Sequence, residues 1–161
     1  VPFFIMSNEV AWTLVRLFEE SLEEYTHLNP LKHHHIMNPR VAFTPEAKAL
    51  MDELRAFHGP IMFHQSGGCC DGSSPMCFAL DDFKIGQVDV YLGDVDGAPF
   101  YMSSSQFEYW KHTHLTLDVT PGRGSSFSIE IPTGKRFMIH SRIFTDQEMA
   151  ELPEAPQGKQ H

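Results

Sequence analysis

Short apolar stretches separated by turn residues fill most of the chain after residue 60, and this pattern limits the fold more than any other feature. The stretches cover residues 61–64, 76–80, 88–92, 99–102, 115–119, 127–131 and 137–144. Each has the length of a β-strand and is too short for a long amphipathic helix. The pattern predicts an α+β domain, mainly β, built as a folded sheet or small barrel of about seven short strands.

A leading helix and short flanking helices complete this prediction. Thr44-Pro45-Glu46 supplies a hydroxyl at the N-cap, proline at N1 and an acid in the first turn, and Gly59-Pro60 should end the helix. Residues 104–111 interrupt the strand pattern and predict one or two helical turns. Thr145-Asp146-Gln147-Glu148 predicts a short closing helix, and Asp96-Gly97 predicts a tight hairpin.

The two ends of the chain differ from this domain. Residues 1–36 have apolar side chains at helical spacing and are interpreted as an amphipathic extension, which could lie upstream of the true start at Met37. Residues 37–149 are predicted to form a single globular domain. Residues 150–161, rich in Pro, Gln and Gly, are predicted to be a loose tail.

Charge and cysteine content restrict the partners and the compartment. The net charge of −9 leaves no basic surface for nucleic acid or an anionic membrane, so neither is an expected partner. The 3 cysteines include an adjacent pair and are too few for a secreted disulfide framework. We therefore expect reduced thiols and a cytoplasmic location.

The strongest signal for chemistry is Gly67-Gly68-Cys69-Cys70-Asp71-Gly72, here called the thiol loop. Glycines on both sides allow positive φ angles and would expose thiols that usually prefer burial. Cys70 and Cys77 could converge, with Cys69 or His64 as a third ligand, on zinc, iron, copper(I) or an iron–sulfur cluster. Successive side chains diverge, so one of the adjacent cysteines should bind while the other packs. The structural alternative is a turn whose cysteines fill apolar space.

A second candidate set contains His112 and His114, which are two residues apart and would share one face of a strand. Two imidazoles on one face can bind one metal ion, whereas the structural alternative places them at a helix-to-strand corner. His140, on an apolar strand, is interpreted as a core histidine that has a hydrogen-bond partner. No Ser-His-Asp arrangement follows from the spacing of these residues.

Two long stretches carry a family resemblance. Residues 62–77, with His64-Gln65-Ser66 before the thiol loop, and residues 106–113, with Glu108-Tyr109-Trp110, resemble the bacterial domain-of-unknown-function family seven-seven-nine. The resemblance covers residues 38–148. Genes of that family often lie beside aldehyde dehydrogenase genes, which implies a supporting role in aldehyde or alcohol oxidation and an aldehyde dehydrogenase as a partner.

The order of elements is also similar to that of the A-type iron–sulfur carrier proteins, which have the HesB-like fold. Their helix start, Gly-Gly-Cys loop and two later strands correspond to Thr44-Pro45-Glu46-Ala47, Gly67-Gly68-Cys69, Leu115-Thr116-Leu117-Asp118 and Phe127-Ser128-Ile129. Their C-terminal Cys-x-Cys-Gly motif has no counterpart. Of their ligands only Cys69 therefore carries over, and Cys70, Cys77 and the histidines would have to complete any site.

Three classes of function remain open. The first is an accessory protein that binds a transition metal or an iron–sulfur species and serves an aldehyde dehydrogenase system. The second is a small enzyme in which a reactive cysteine or a bound metal acts on an aldehyde or thioester. The third is an interaction module or homodimer in which Phe107, Tyr109 and Trp110 form a docking patch.

Overall fold

The computed structural model describes residues 40–68 and 72–160 of the 161-residue chain. The predicted extension 1–36 lies outside the described residues, as do Cys69, Cys70 and Asp71. The strands are β1 Val41–Phe43, β2 Ile61–Gln65, β3 Met76–Ala79, β4 Val90–Val95, β5 Ala98–Met102, β6 Thr113–Pro121 and β7 Lys135–Ile143. The helices are α1 Pro45–His58, α2 Ser104–Trp110 and α3 Asp146–Glu151, with a 3-10 turn at Ile131–Thr133. The described part is therefore α+β and mainly β.

The strands form two mixed sheets. One sheet has four strands in the order β3-β2-β5-β4, and the other has three in the order β1-β6-β7. The β2–β5 and β1–β6 pairs are parallel, and the other neighbours are antiparallel. The described strands do not close into the small barrel that was one of the predicted forms. Helix α1 carries the chain from β1 into the four-stranded sheet and α2 carries it back, so two ladders form instead of one.

The main core lies between these sheets and α1. Helix α1 buries side chains at the spacing of one helical face: Ala47, Leu50, Met51 and Leu54. Phe63 of β2 meets Phe137 of β7 edge to face, with ring centroids 4.9 Å apart. This contact joins the two sheets directly, since Phe63 belongs to the four-stranded sheet and Phe137 to the three-stranded sheet.

Several local predictions are confirmed. The Thr44 hydroxyl accepts a hydrogen bond from the Ala47 N–H at 3.1 Å, and α1 ends at Gly59 with φ of 73°. Asp96 and Gly97 adopt φ of 48° and 77° and connect β4 to β5 as a tight hairpin. Helix α3 begins with the capping box of Thr145 and Glu148.

The predicted strand over residues 127–131 is wrong. Phe127 has φ of 68° and its ring is 88% exposed, so the backbone turns where a strand would have to continue. The Ile129 N–H still donates to the Cys77 carbonyl oxygen at 3.0 Å, but the following residues form the 3-10 turn. The alternation of apolar residues there reflects side chains buried by turns. The strand expected of a HesB-like order of elements is therefore missing from this stretch.

Residues 157–160 contact the four-stranded sheet. They belong to the segment that is predicted from its composition to be a loose tail. Gln157 forms a bridge with Val90, and the Gly158 N–H donates to the Asp89 carbonyl oxygen at 2.9 Å. The Gln160 N–H donates to the hydroxyl of Tyr101 at 3.1 Å. No helix among the described residues is long and apolar enough to cross a membrane.

Candidate functional site

The N-terminal end of the thiol loop is held by hydrogen bonds from two buried side chains. The side chain of Gln65, the last residue of β2, is fully buried and its Nε2 donates to the Gly67 carbonyl oxygen. The indole Nε1 of Trp110 donates to the Gly68 carbonyl oxygen at 3.2 Å. Both donors come from the folded core, so they fix the position of the two glycines that enter the loop.

The second end is held by β7. The Gly72 N–H donates to the Ile139 carbonyl oxygen at 2.7 Å, and the Ile139 N–H donates to the Ser73 carbonyl oxygen at 2.9 Å. The guanidinium of Arg136 donates to the Gly72 carbonyl oxygen at 3.2 Å and to the Ser74 hydroxyl at 2.6 Å. The loop therefore ends beside a cation.

The two glycines that precede Cys69 have different constraints. Gly68 has φ of 89°, and a Cβ placed on it would lie 2.5 Å from Ser73 Oγ. Gly67 has no such φ, and a Cβ there would meet no heavy atom within 4 Å. Of these two residues, only Gly68 is thus required by the backbone and by its contact with the far end of the loop.

Cys77 belongs to the core instead of the loop surface. It pairs with Phe63 across the β2–β3 ladder, and its side chain is completely buried in the main core. Burial raises the pKa of its thiol well above the ordinary value, and the nearby Glu130 carboxylate raises it further. A neutral, buried thiol is a poor metal ligand and a poor nucleophile.

A buried carboxylate lies next to Cys77, and no sequence motif singles it out. Glu130 is fully buried, and its Oε2 accepts a hydrogen bond from the Ser128 hydroxyl. The same hydroxyl accepts the Cys77 N–H at 2.8 Å. Burial raises the pKa of the Glu130 carboxyl, although the Ser128 hydrogen bond opposes the shift. Gly124 leaves the space that the carboxylate fills.

His64 lies on the other face of the four-stranded sheet from Cys77. Neighbouring residues of a strand point to opposite faces, so Phe63 enters the main core while the His64 ring packs on Phe83 at 4.6 Å between centroids. Its Nδ1 lies 2.7 Å from Ser66 Oγ, and its Nε2 lies 3.2 Å from Asp89 Oδ2. Burial lowers the pKa of His64, with Asp89 acting in the opposite direction.

The two histidines near β6 occupy different environments. The strand begins at Thr113, so His112 lies in the preceding turn and is exposed. His114 packs edge-on against Phe144 with centroids 5.9 Å apart, and burial lowers its pKa. Within residues 40–68 and 72–160 no group of three or more His, Cys, Asp or Glu side chains could hold a metal ion.

Two further side chains differ from their predicted environments. His140 is exposed instead of lying in the core, and its Nε2 lies 2.9 Å from Asp118 Oδ2. Trp110 is 5% exposed, whereas Tyr109 is 70% exposed. Phe107 is partly buried and packs on the core, so Tyr109 is the one largely exposed ring of the predicted aromatic docking patch.

The match to a known family covers this whole region. The model of the family described as Domain of unknown function (DUF779) matches residues 50–143, from within α1 to the end of β7. Comparison with curated proteins gives no match. The matched residues are more than half of the chain and include the thiol loop with both of its anchored ends, so the chain belongs to the DUF779 family.

Proposed function

We propose that this protein binds a soft transition metal ion or an iron–sulfur species through the thiol loop. The observation that carries the proposal is the anchoring of both loop ends, by Trp110 at Gly68 and by Ile139 at Gly72. A loop that is fixed at both ends loses less conformational entropy when its thiolates bind an ion. Thiolates favour zinc, iron and copper(I) over hard cations.

The donor set for such an ion is smaller than the sequence predicted. Cys77 is buried in the main core, and the His64 ring faces the opposite side of its sheet. Cys77 and His64 are therefore not both used as ligands in the proposal. The proposal is restricted to Cys69 or Cys70 as the thiolate ligand, with the remaining ligands supplied by solvent, a partner or a second copy of the chain.

The cellular role is also part of the proposal. The resemblance to a family whose genes often lie beside aldehyde dehydrogenase genes favours an accessory role in an aldehyde or alcohol dehydrogenase system. The few, clustered cysteines support action in the reducing cytoplasm. A homodimer would bring two thiol loops together, and each copy could then supply one thiolate to a shared ion.

The test is metal analysis of protein purified anaerobically with a reductant. Iron, zinc and copper per chain are measured together with the visible spectrum for the unchanged protein and a Cys69→Ser/Cys70→Ser variant. We expect stoichiometric metal in the first and none in the second, while a Cys77→Ala control keeps its metal. Absence of metal from the unchanged protein, before and after incubation with each ion, would overturn the proposal.

A second candidate is a cysteine nucleophile, and the position of Arg136 favours it. The guanidinium donates to the carbonyl oxygen of Gly72, close in sequence to the thiols, and a nearby cation lowers a thiol pKa. Asp71 carries the opposite charge within the same loop. Metal-free protein would then react with iodoacetamide at neutral pH, more slowly after Arg136→Met and unchanged after Arg123→Met. Equal rates in all three would exclude this role of Arg136.

A further inference from the structure

Ser66, His64 and Asp89 contact one another in series on the side of β2 away from the main core. Ser66 Oγ lies 2.7 Å from His64 Nδ1, and His64 Nε2 lies 3.2 Å from Asp89 Oδ2. The second contact has ion-pair distance but lacks the alignment of a hydrogen bond. Catalytic contacts of this kind are often loose before substrate binds.

The roles of the two ring nitrogens follow from their neighbours. Asp89 is an acceptor, so the neutral imidazole should carry its proton on Nε2 and leave the Nδ1 lone pair free for the Ser66 hydroxyl proton. Asp89 is held in place because its Oδ2 also accepts the Gly86 N–H at 2.8 Å. The hydroxyl, the base and the acid that orients it therefore occur in the order that activates a serine. The two ring nitrogens are exchanged relative to the usual serine triad.

The base, His64, is shielded from solvent, whereas the nucleophile, Ser66, is exposed. His64 is 3% exposed, whereas Ser66 lies on the surface at the end of β2. Burial keeps the His64 pKa low, so the ring is neutral near neutral pH. The next two residues, Gly67 and Gly68, are exposed, and their N–H groups donate to no partner within the described residues. Backbone donors directly after a nucleophile can stabilise an oxyanion.

We propose that Ser66 is a nucleophile for activated acyl groups, esters or thioesters, with His64 as general base and Asp89 as the residue that orients it. This chemistry does not use the thiols, although the two backbone donors, Gly67 and Gly68, belong to the thiol loop. Ser66 Oγ attacks the carbonyl carbon while its proton passes to His64 Nδ1. The C–O or C–S bond of the tetrahedral intermediate then breaks, the leaving group takes the proton from Nδ1, and the acyl group remains on Ser66. Water releases it by the same sequence of proton transfers.

The experiment uses the full chain with Cys69→Ala and Cys70→Ala, which removes the loop thiols and any metal that they hold. The probe is p-nitrophenyl acetate, with release of nitrophenolate and peptide mass spectrometry as readouts. We expect an acetyl group on the peptide that contains Ser66. Ser66→Ala should lower the rate about a hundredfold, and the exposed Ser126→Ala control should leave it unchanged.

A second variant guards against a folding defect. Asp89→Asn keeps the size of the side chain, and we expect it to retain the native circular dichroism spectrum while lowering the acylation rate. The absence of any acetyl adduct on Ser66 in a folded protein would overturn the proposal, as would equal rates for the serine and alanine proteins. Because the cysteines are already replaced, this result is independent of whether the unchanged protein binds metal.

Discussion

The indole Nε1 of Trp110 donates a hydrogen bond of 3.2 Å to the carbonyl oxygen of Gly68. Trp110 is the last residue of α2 and is buried, whereas Gly68 is exposed and precedes the first cysteine of the thiol loop. This hydrogen bond therefore holds Gly68, near the start of the thiol loop, against the buried end of α2. Its removal is the most direct way to loosen the loop without changing any candidate ligand.

Replacement of Trp110 by Phe should remove this hydrogen bond and keep most of the buried ring. We expect the free energy of unfolding to fall by about 1–3 kcal/mol, from the lost hydrogen bond and the smaller ring. Chemical denaturation measures this change, and the metal affinity of the loop should weaken as well. Tyr109→Phe alters a ring that is 70% exposed and serves as the control. Unchanged stability in Trp110→Phe would show that the bond contributes nothing.

Gly67 and Gly68 provide a matched pair of substitutions. Gly68→Ala forces a side chain into a positive φ and against Ser73, so we expect it to destabilise the protein by about 1–3 kcal/mol. Gly67→Ala enters open space and should change stability by less than about 1 kcal/mol. Denaturant unfolding of both variants checks the difference. Equal effects of the two substitutions would contradict the constraint at Gly68.

Local sequence chemistry explains why parts of the fold could be predicted. The N-cap of Thr44, the Asp96-Gly97 turn and the capping box at Thr145 each act within four residues, and each predicted element begins or turns where expected. The strand Val41–Phe43 was missed because it is only three residues long and depends on pairing with residues 115–117. Such pairing has no local signature.

The candidate site shows the same division between local and distant information. The positive φ angles of Gly68 and Gly72 could be predicted, because tolerance of positive φ is a property of glycine itself. The contact of His64 with Asp89 was not, since it depends on how β2 and the segment before β4 meet in the fold. Glu130 was missed for a similar reason: nothing in its sequence neighbourhood indicates that Ser128 and Gly124 enclose its carboxylate.

Thiol counting tests the assignment of Cys77 to the core. In metal-free, reduced protein under native conditions, a chromogenic disulfide reagent should modify at most two of the 3 cysteines. The third should react only after unfolding, because Cys77 is completely buried and burial keeps its thiol neutral. Cys77→Ala should remove the thiol that reacts only after unfolding and leave the reaction of the other two unchanged. Rapid reaction of all three thiols in the folded protein would contradict this assignment.

Glu130 should make stability depend on pH in a direction that follows from its raised pKa. The folded protein holds the Glu130 proton more tightly than the unfolded chain, whose carboxyl titrates near 4.5. Its contribution to stability is therefore fully present below that value and is lost as the pH rises through the folded-state pKa. Above that pH range the folded protein must either bury the Glu130 charge or retain a proton that the unfolded chain has released, and both reduce its stability.

The substitution Glu130→Gln removes this titration and keeps an amide oxygen that can accept the Ser128 hydroxyl. We expect the variant to gain stability relative to the unchanged protein as the pH rises from 4 to 7, with a constant difference below the ordinary carboxyl range. Urea unfolding at several pH values measures the difference, from which the titration of all other groups cancels. Glu154→Gln, at an exposed position, makes the same change in side-chain charge and is the control variant. A difference that stays flat over this range would mean that Glu130 titrates alike in the folded and unfolded chain.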